Sequence, residues 1–489
     1  MADVRARARD PRWQLGGVGV GFFVVALIAM GSMKLGWDES VYVSQVSPHA
    51  PAAYFSAPRT RGITWLVAPL VAVTPSVTAL RVYLAALSSL ALVLSFGTWL
   101  RVRRDASVPL AAGIFATLWT SMFYGAEVMP NLWIAFSSVT AVALALLIRR
   151  EPTWPRLVGL AAAVAAAALL RPTDSVFLAA PIAVAALALP GWRRHRRAVA
   201  GVFAAMFVGG VLGSAPWLVE SVTSYGGVVA RLHEASEVQG GTGLQFSADL
   251  HLRAIDGPGW CRPCDRSKEP IPVAGTLWFL TGVTAAGIGL LAARRSRRTT
   301  QTALPLLVAA SLALPYFFLI GYAAPRFLSP SFALAVLPVA QGLLAAPAWW
   351  PRRRALLRAG VVAVLVLHVA YQAAITFVVV RGNHPGREAW ADIVVTLREN
   401  GVRPPCVVSG RAAPPIGFYA GCRSVQAWGP DRSATGAQVR RLSREQPTAL
   451  ILRASATRPR WARGWRVVPL RGEENQRWVA YVSPSARAG

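Results

Sequence analysis

Charge is what this sequence lacks. Only 15% of its 489 residues are charged, 22 are acidic, and lysine occurs twice, at Lys34 and Lys268. A soluble chain of this size carries more charge, which excludes an ordinary soluble enzyme. Nucleotide machinery is missing as well. There is no G-x-x-x-x-G-K-[ST] and no G-x-G-x-x-G between a strand and a helix. There is also no G-x-S-x-G and no H-E-x-x-H. No repeat of solenoid period is present.

What the chain has is apolar length. Hydrophobic residues make up 54%, and long runs recur from Leu15 to Val380. About 20 such residues cross a bilayer as a helix. No other regular structure open to this pattern satisfies its own backbone in lipid. Eleven spans are expected, near 15–35, 79–100, 107–124, 126–148, 156–170, 174–190, 198–218, 273–293, 303–321, 329–349 and 356–380. The segment 63–75 is apolar but short, with Pro69 and Pro75, and is expected to lie in the interface or re-enter. Arg5, Arg7, Arg9 and Arg12 precede the first run, which is longer than a signal-peptide core and lacks an A-x-A site. It reads as an uncleaved span.

The net charge of +29 comes almost wholly from arginine in short loops, so it sets membrane orientation and does not point to nucleic acid. The segments 1–14, 101–106, 149–156, 191–197, 294–300 and 350–358 each carry at least three Arg. They are expected on the cytoplasmic side together with the N-terminus. That leaves 36–62, 219–272 and the tail from Arg381 facing outward. In the tail, GREAWADIVVTLREN and SATGAQVRRLSREQ read as helices. PCVVSG, TALILRA, GWRVVPL and RWVAYVS read as strands. The expected fold is a polytopic α-helical membrane protein of about 11–13 spans, with a transmembrane domain over 1–380 and a small extracytoplasmic α/β domain over 381–489. The cysteines, Cys261, Cys264, Cys406 and Cys422, all fall in outer segments. An even count in an oxidising compartment suggests disulfides, most simply 406–422 and 261–264, although CRPC also suits redox chemistry or half a zinc site.

Polar residues collect at outer span ends, where charge is costly and marks function. Asp38 and Glu39 follow the first span in KLGWDESVY. Arg59 and Arg61 lie in SAPRTRGITW, Glu127 in FYGAEVMPN, Arg171 and Asp174 in LLRPTD, and Arg326 in YAAPRFLSP. Asp174 and Arg61 suit solvated turns equally well. His233 and His251 read as surface residues of the 219–272 loop. Trp37 and Tyr42 read as interface anchors, as do Trp349 and Trp350 at the inner boundary. Arginines bind phosphate as permanently charged forks of donors, and a nearby carboxylate acts as general base on a hydroxyl or amine. The combination suits attack of an acceptor on a phosphate-linked carbon, with phosphate as the leaving group.

These residues resemble the GT-C superfamily of membrane glycosyltransferases, in particular the branch of aminoarabinose transferases and protein O-mannosyltransferases. The likeness rests on GWDESVY after the first span, the outer loop leading to ALRVYLAALSSLALVL, the acidic turn YGAEVMPN, and PRFLSPSFALAVLPVAQGLLA before a late span. It covers about residues 16–350. It implies a polyprenyl-phosphate sugar donor, an extracytoplasmic acceptor (envelope glycan, lipid or protein) and inverting transfer. By position, Asp38 matches the general base, Glu127 a second outer acid that positions acceptor or base, and Arg326 a donor-phosphate contact. Glu39 completes the acidic pair. Some relatives bind a metal, so a divalent ion stays open, and no other cofactor is implied. The family's K-P-P-L-like element is replaced by SAPRTRGITWL, where Arg59 or Arg61 takes the place of the lysine, and Phe327 stands where Tyr is usual. Partners besides donor and acceptor are membrane lipids.

Two other classes fit parts of the sequence. A transporter or lipid flippase also has many spans, but favours repeats and sites at the midplane. A scaffold or sensor would use the tail, which holds 18 Arg against 7 acids, yet leaves the acids of the other outer turns unexplained.

Overall fold

A computed structural model describes residues 10–189, 192, 196–257, 270–475 and 477–486. The chain begins with α1 (Pro11–Met30), α2 (Trp37–Ser44), α3 (Gly62–Val71) and α4 (Val77–Val102). Next come α5 (Ser107–Ala116), α6 (Trp119–Tyr124), α7 (Asn131–Arg150), α8 (Trp154–Leu170), α9 (Pro172–Ala188) and α10 (Arg196–Tyr225). The short α11 (Val228–Val238) and α12 (Ala248–Arg253) precede α13 (Val273–Arg295), α14 (Thr299–Phe318), α15 (Ser329–Trp349) and α16 (Arg354–Glu399). Among the described residues, eight helices are long and apolar enough to cross a membrane. The protein is a multi-pass membrane protein.

Each of the eleven expected spans overlaps a helix. α8 and α9 have 17 residues each, at the low end of the ~17–25 that cross a bilayer. The run 107–124 is broken into α5 and α6. Thr117 Oγ1 caps the Gly113 carbonyl at 2.8 Å, Leu118 is extended, and the freed Trp119 N–H donates to Gln372 Oε1 at 2.9 Å. Irregular backbone at such depth persists only where the protein supplies the missing partner. The segment 63–75 forms the ten-residue α3, far too short to cross.

Small residues let helices approach closely. On α10, Gly209 and Gly213 face the backbone of Ala161 and Ala165 on α8, where any Cβ would collide. This is the small-xxx-small packing that helices use in lipid, where apolar burial between helices gives no advantage over contact with lipid tails. The Arg-rich turns gather at one end of the bundle: Arg104 pairs with Asp10 at 2.9 Å and Arg298 with Asp105 at 3.6 Å. Asp10 also caps α1 through the Arg12 N–H.

At the opposite end stands the C-terminal domain. Its elements are β1 (Val407–Gly410), α17 (Ala413–Ala420), β2 (Arg423–Val425), α18 (Gly436–Glu445), β3 (Thr448–Arg453), β4 (Arg466–Pro469) and β5 (Trp478–Val482). The sheet order is β2-β1-β3-β5-β4, with β1 parallel to β2 and β3. β5 runs antiparallel to both β3 and β4. The four expected strands and the 436–445 helix form; β2 and α17 are additional. Alternation sends Val408, Ala449, Ile451 and Ala480 to one face, against Ile393 and Leu397 of α16 and Ile416 of α17. Val407, Leu450 and Tyr481 go to the other, against Val439 of α18 and Trp465. The Cys406–Cys422 disulfide joins the starts of β1 and β2. Cys261 and Cys264 lie outside the described residues.

The last span and the first tail helix are one helix of 46 residues, α16, running through the expected division at residue 380. At 1.5 Å per residue it is about 69 Å long, more than twice the ~30 Å apolar core of a bilayer. Pro385 removes a single backbone donor, and the stripe of Ile393, Val394 and Leu397 holds the far half on the sheet.

Candidate active site

The site is built on α2. Gly36 is extended and the helix starts at Trp37, so Asp38 and Glu39 occupy the first turn, where the helix dipole favours negative charge. Adjacent residues on a helix point in different directions, and these two have different fates. Glu39 turns back to accept the Gly36 N–H at 2.7 Å, as a capping residue does. It also accepts from the Val128 N–H at 2.8 Å, from both Arg81 terminal nitrogens and from Arg387 Nη1 at 3.1 Å. Its side chain is 2% exposed. Glu39 therefore offers no free oxygen to a substrate. Asp38 turns outward and is 33% exposed.

Two arginines from distant segments meet Asp38. Arg59 Nη2 lies 2.8 Å from Oδ1, and Arg326 Nη2 lies 3.4 Å from Oδ2. Burial raises the Asp38 pKa, but the charges of Arg59 and Arg326 outweigh it and hold the carboxyl below its usual range. Arg326 sits on a single 3-10 turn, Pro325–Leu328, and its Nε has no hydrogen-bond partner. Arg59 lies over the Tyr42 ring at 5.3 Å. Tyr42 is thereby buried against Phe55 as part of the site, where an interface anchor was expected. Trp37 packs between the bundle and the C-terminal domain, again away from lipid.

The remaining predicted residues fall around this pair. Arg171 donates to Tyr316 Oη at 2.6 Å, Tyr316 donates to Asp174 at 2.7 Å, and the Arg171 guanidinium lies 4.9 Å over Phe327. Arg61 is taken by Glu220 (2.5 Å) and by Gln45 Oε1 (3.0 Å), so its charge is spent on α10. Glu127 lies a layer behind Asp38, 4% exposed, paired with Arg387 at 2.6 Å. Burial, then the nearby Glu39 charge, push Glu127 up to about 7 against the pull of Arg387. The structure thus brings Asp38, Arg59 and Arg326 together, with Arg171 close by. It places Glu39 and Glu127 in a sealed network and Arg61 in a separate pair.

Sequence reasoning missed the residues that hold this arrangement. Arg81 is fully buried on α4 and serves Glu39, Met33 O, Lys34 O and Ala126 O. A lone arginine inside an expected span was a usable signal. Arg387 bridges Glu39, Glu127 and Lys34 O, and it packs tightly over Gly36, where a Cβ would meet Nη2 at 3.0 Å. Nothing in the local sequence marks Arg387, because only the unbroken α16 brings it to the site. Arg231, also fully buried, ties α11 to the first loop through the Ala57 and Arg59 carbonyls and to Glu220 at 2.9 Å.

His233 is exposed as expected, but His251 is 4% exposed, with neither ring nitrogen hydrogen-bonded. Packing of α12 beneath Tyr316 and Phe317 buries it, and burial holds its pKa down at about 4. It lines a small, largely apolar pocket with Trp119, Trp278, Pro325, Phe332 and Gln372, immediately beside Arg326. Among the described residues no three His, Cys, Asp or Glu side chains form a metal-binding group.

A helical membrane bundle that carries a small α/β domain at one end defines a fold class, the GT-C fold. Within that class the chain is similar to ArnT from Cupriavidus metallidurans bound to undecaprenyl phosphate. The TM-score is 0.66 at 15% identity, covering 96% of this chain and 98% of that one. The apo state of the same protein gives 0.66 at 14% identity, over 95% and 97%. The Archaeoglobus fulgidus oligosaccharyltransferase AglB, in complex with an inhibitory peptide and a dolichol-phosphate, gives 0.56 at 11% identity, over 90% and 69%. No protein-family model matches the sequence, and no curated protein matches it.

Proposed function

We propose that this protein is a glycosyltransferase that moves a sugar from a polyprenyl-phosphate donor to an acceptor outside the cytoplasm. The observation that carries the reading is the outward Asp38 flanked by Arg59 and Arg326, beside a cavity lined largely by apolar side chains. An apolar wall next to two arginines suits a lipid-linked phosphate. The likeness to ArnT bound to undecaprenyl phosphate and to AglB with a dolichol-phosphate supports the same donor class. The Arg-rich turns at the far end support a cytoplasmic placement of that end, and the disulfide supports an oxidising compartment for the domain.

In this reading Asp38 accepts the proton of the acceptor O–H or N–H. The acceptor atom forms its bond to the anomeric carbon as the bond from that carbon to the phosphate oxygen breaks. The electron pair leaves with the polyprenyl phosphate, and Arg59 and Arg326 meet its added charge. A single displacement of this kind inverts the anomeric centre. Before donor binding both arginines serve Asp38 and keep it ionised. The arriving phosphate takes part of their charge and raises the proton affinity of Asp38 when the base is needed. Glu39, Arg81, Arg387 and Glu127 act as positioning residues that fix α2.

The test is incubation of membranes holding the protein with a panel of radiolabelled polyprenyl-phosphate sugars, followed by identification of the labelled product. Donor-dependent label on an extracytoplasmic acceptor is expected. Movement of intact labelled lipid across liposomes without sugar transfer would sink the enzyme reading.

A further inference from the structure

The chain reverses its direction of travel across the C-terminal sheet at β1. The connection from β1 to β2 runs through α17 on one face, and that from β2 to β3 runs through α18 on the other. β2 and β3 therefore flank β1 on opposite sides, all three parallel. In an open α/β sheet, ligands bind outside the carboxyl ends of the strands at such a switch point. Here it lies between β1 and β3. The residue that follows β1 is Arg411, and the last residue of β3 is Arg453. Both sit against one ring. The Arg411 guanidinium is 3.7 Å from the centroid of Trp478 and that of Arg453 is 5.6 Å. Trp478 opens β5 directly opposite Arg453.

The backbone is shaped to hold Arg411 there. Gly410 has φ +91°, and a Cβ on it would meet the Ile451 carbonyl oxygen at 2.1 Å. The Arg411 N–H donates to that same oxygen at 2.9 Å. Ala412 has φ +47°, a left-handed conformation that alanine rarely adopts. Burial, then the charge of Arg453, hold the Arg411 pKa below its ordinary value against the pull of Glu474. Among the described residues neither arginine forms an ion pair or a side-chain hydrogen bond, and Arg411 Nε is buried with no partner. Stacking on Trp478 accounts for one such charge, at about 0.5–2 kcal/mol. It does not account for two that repel beside the same ring. The start of α17 adds little, since Pro414 and Pro415 carry no N–H, so recognition falls to the side chains. Two unused forks of donors that repel one another fit an anion. A carboxylate has two oxygens and one charge, which a single guanidinium satisfies. A phosphomonoester has three free oxygens and nearly two charges, which match the pair.

We propose that Arg411 and Arg453 form a phosphate-binding site on the C-terminal domain, one that takes a phosphomonoester and shares no residue with the Asp38 site. It does not rest on the glycosyltransferase reading. A soluble phosphomonoester and a phosphatidic acid headgroup present the same chemistry, and the test separates them. The full chain in a phosphate-free maltoside detergent is followed by hydrogen exchange. The probes are methyl phosphate, micelles carrying phosphatidic acid, and acetate at matched ionic strength. At about ten times its Kd, the bound phosphate is expected to slow exchange about tenfold across 409–413 and 452–456. Arg411→Gln and Arg453→Gln should each weaken that Kd about tenfold or more, so that protection at the same concentration falls to about twofold. Arg453 is exposed, and Arg453→Gln without ligand should melt as wild type does, so this variant decides the matter even where Arg411→Gln folds poorly. Protection by methyl phosphate upholds the site for a soluble ligand, and protection by phosphatidic acid alone upholds it for a lipid headgroup. No protection of these segments, equal protection in the variants, or acetate acting as strongly as methyl phosphate overturns the proposal. Slowing confined to 36–40 and 324–328 places the phosphate at Asp38 alone, which also overturns it and leaves the transferase reading standing.

Discussion

Replacing Asp38 by Asn keeps the size of the side chain and removes its charge and its capacity as a base. A general base contributes about 10²–10⁴ in rate, or roughly 3–5 kcal/mol of barrier at 1.36 kcal/mol per decade. The cost to the fold is small. Asp38 is a third exposed, with Arg59 and Arg326 10% and 18% exposed, so losing these pairs costs less than the ~3–5 kcal/mol of a fully buried pair. Freed from the carboxylate, Arg59 and Arg326 should hold a polyprenyl phosphate at least as tightly as before. The expected profile is turnover down by ~10²–10⁴, near-normal yield and melting temperature, and undiminished binding of the lipid phosphate. The neighbouring Glu39→Gln makes the contrast. Its carboxylate is 2% exposed and shared by Arg81 and Arg387, and breaking a buried pair costs about 3–5 kcal/mol. That variant should lose folded protein before activity per folded molecule. Both variants go into nanodiscs for transfer assay, thermal melt and lipid-phosphate binding. Asp38→Asn with more than a tenth of wild-type turnover refutes the base assignment. Equal loss of fold in both variants refutes the division of the acidic pair.

Arg326→Ala should raise the donor KM at least tenfold while Arg326→Lys restores part of it, as expected of a charge that meets phosphate; donor titration checks this. Glu127 titrates near pH 7 in the folded protein, above its ordinary 4.5. Its contribution to stability is therefore complete below about 4.5 and lost as pH rises through about 7. Melting temperatures across that window should fall with rising pH, and Glu127→Gln should flatten the slope. Removing the Cys406–Cys422 bond, whose partners are 16 residues apart, should cost the C-terminal domain about 3 kcal/mol. Hydrogen exchange confined to β1, α17 and β2 would register it.

The sequence by itself determined the membrane bundle, the arginine-rich end and the strands of the tail. These follow from local run length, alternation and charge counts, which need no partner. It also picked out Asp38, Arg59 and Arg326, because a charge at a span end stands out against apolar neighbours. Only the tertiary structure decided what each charge does. Asp38 and Glu39 are equivalent as isolated acids, yet the rotation of about 100° between adjacent helix positions sends the first outward and the second into Arg81 and Arg387. Arg61 and Arg59 are two residues apart, but Glu220 takes the former and Asp38 the latter. Arg387 reaches the site because α16 does not stop at the membrane, and the absence of a helix end cannot be read from a run that changes from apolar to amphipathic. Partner choice among buried charges depends on which side chains share a small dry volume, and that is settled by packing between segments hundreds of residues apart.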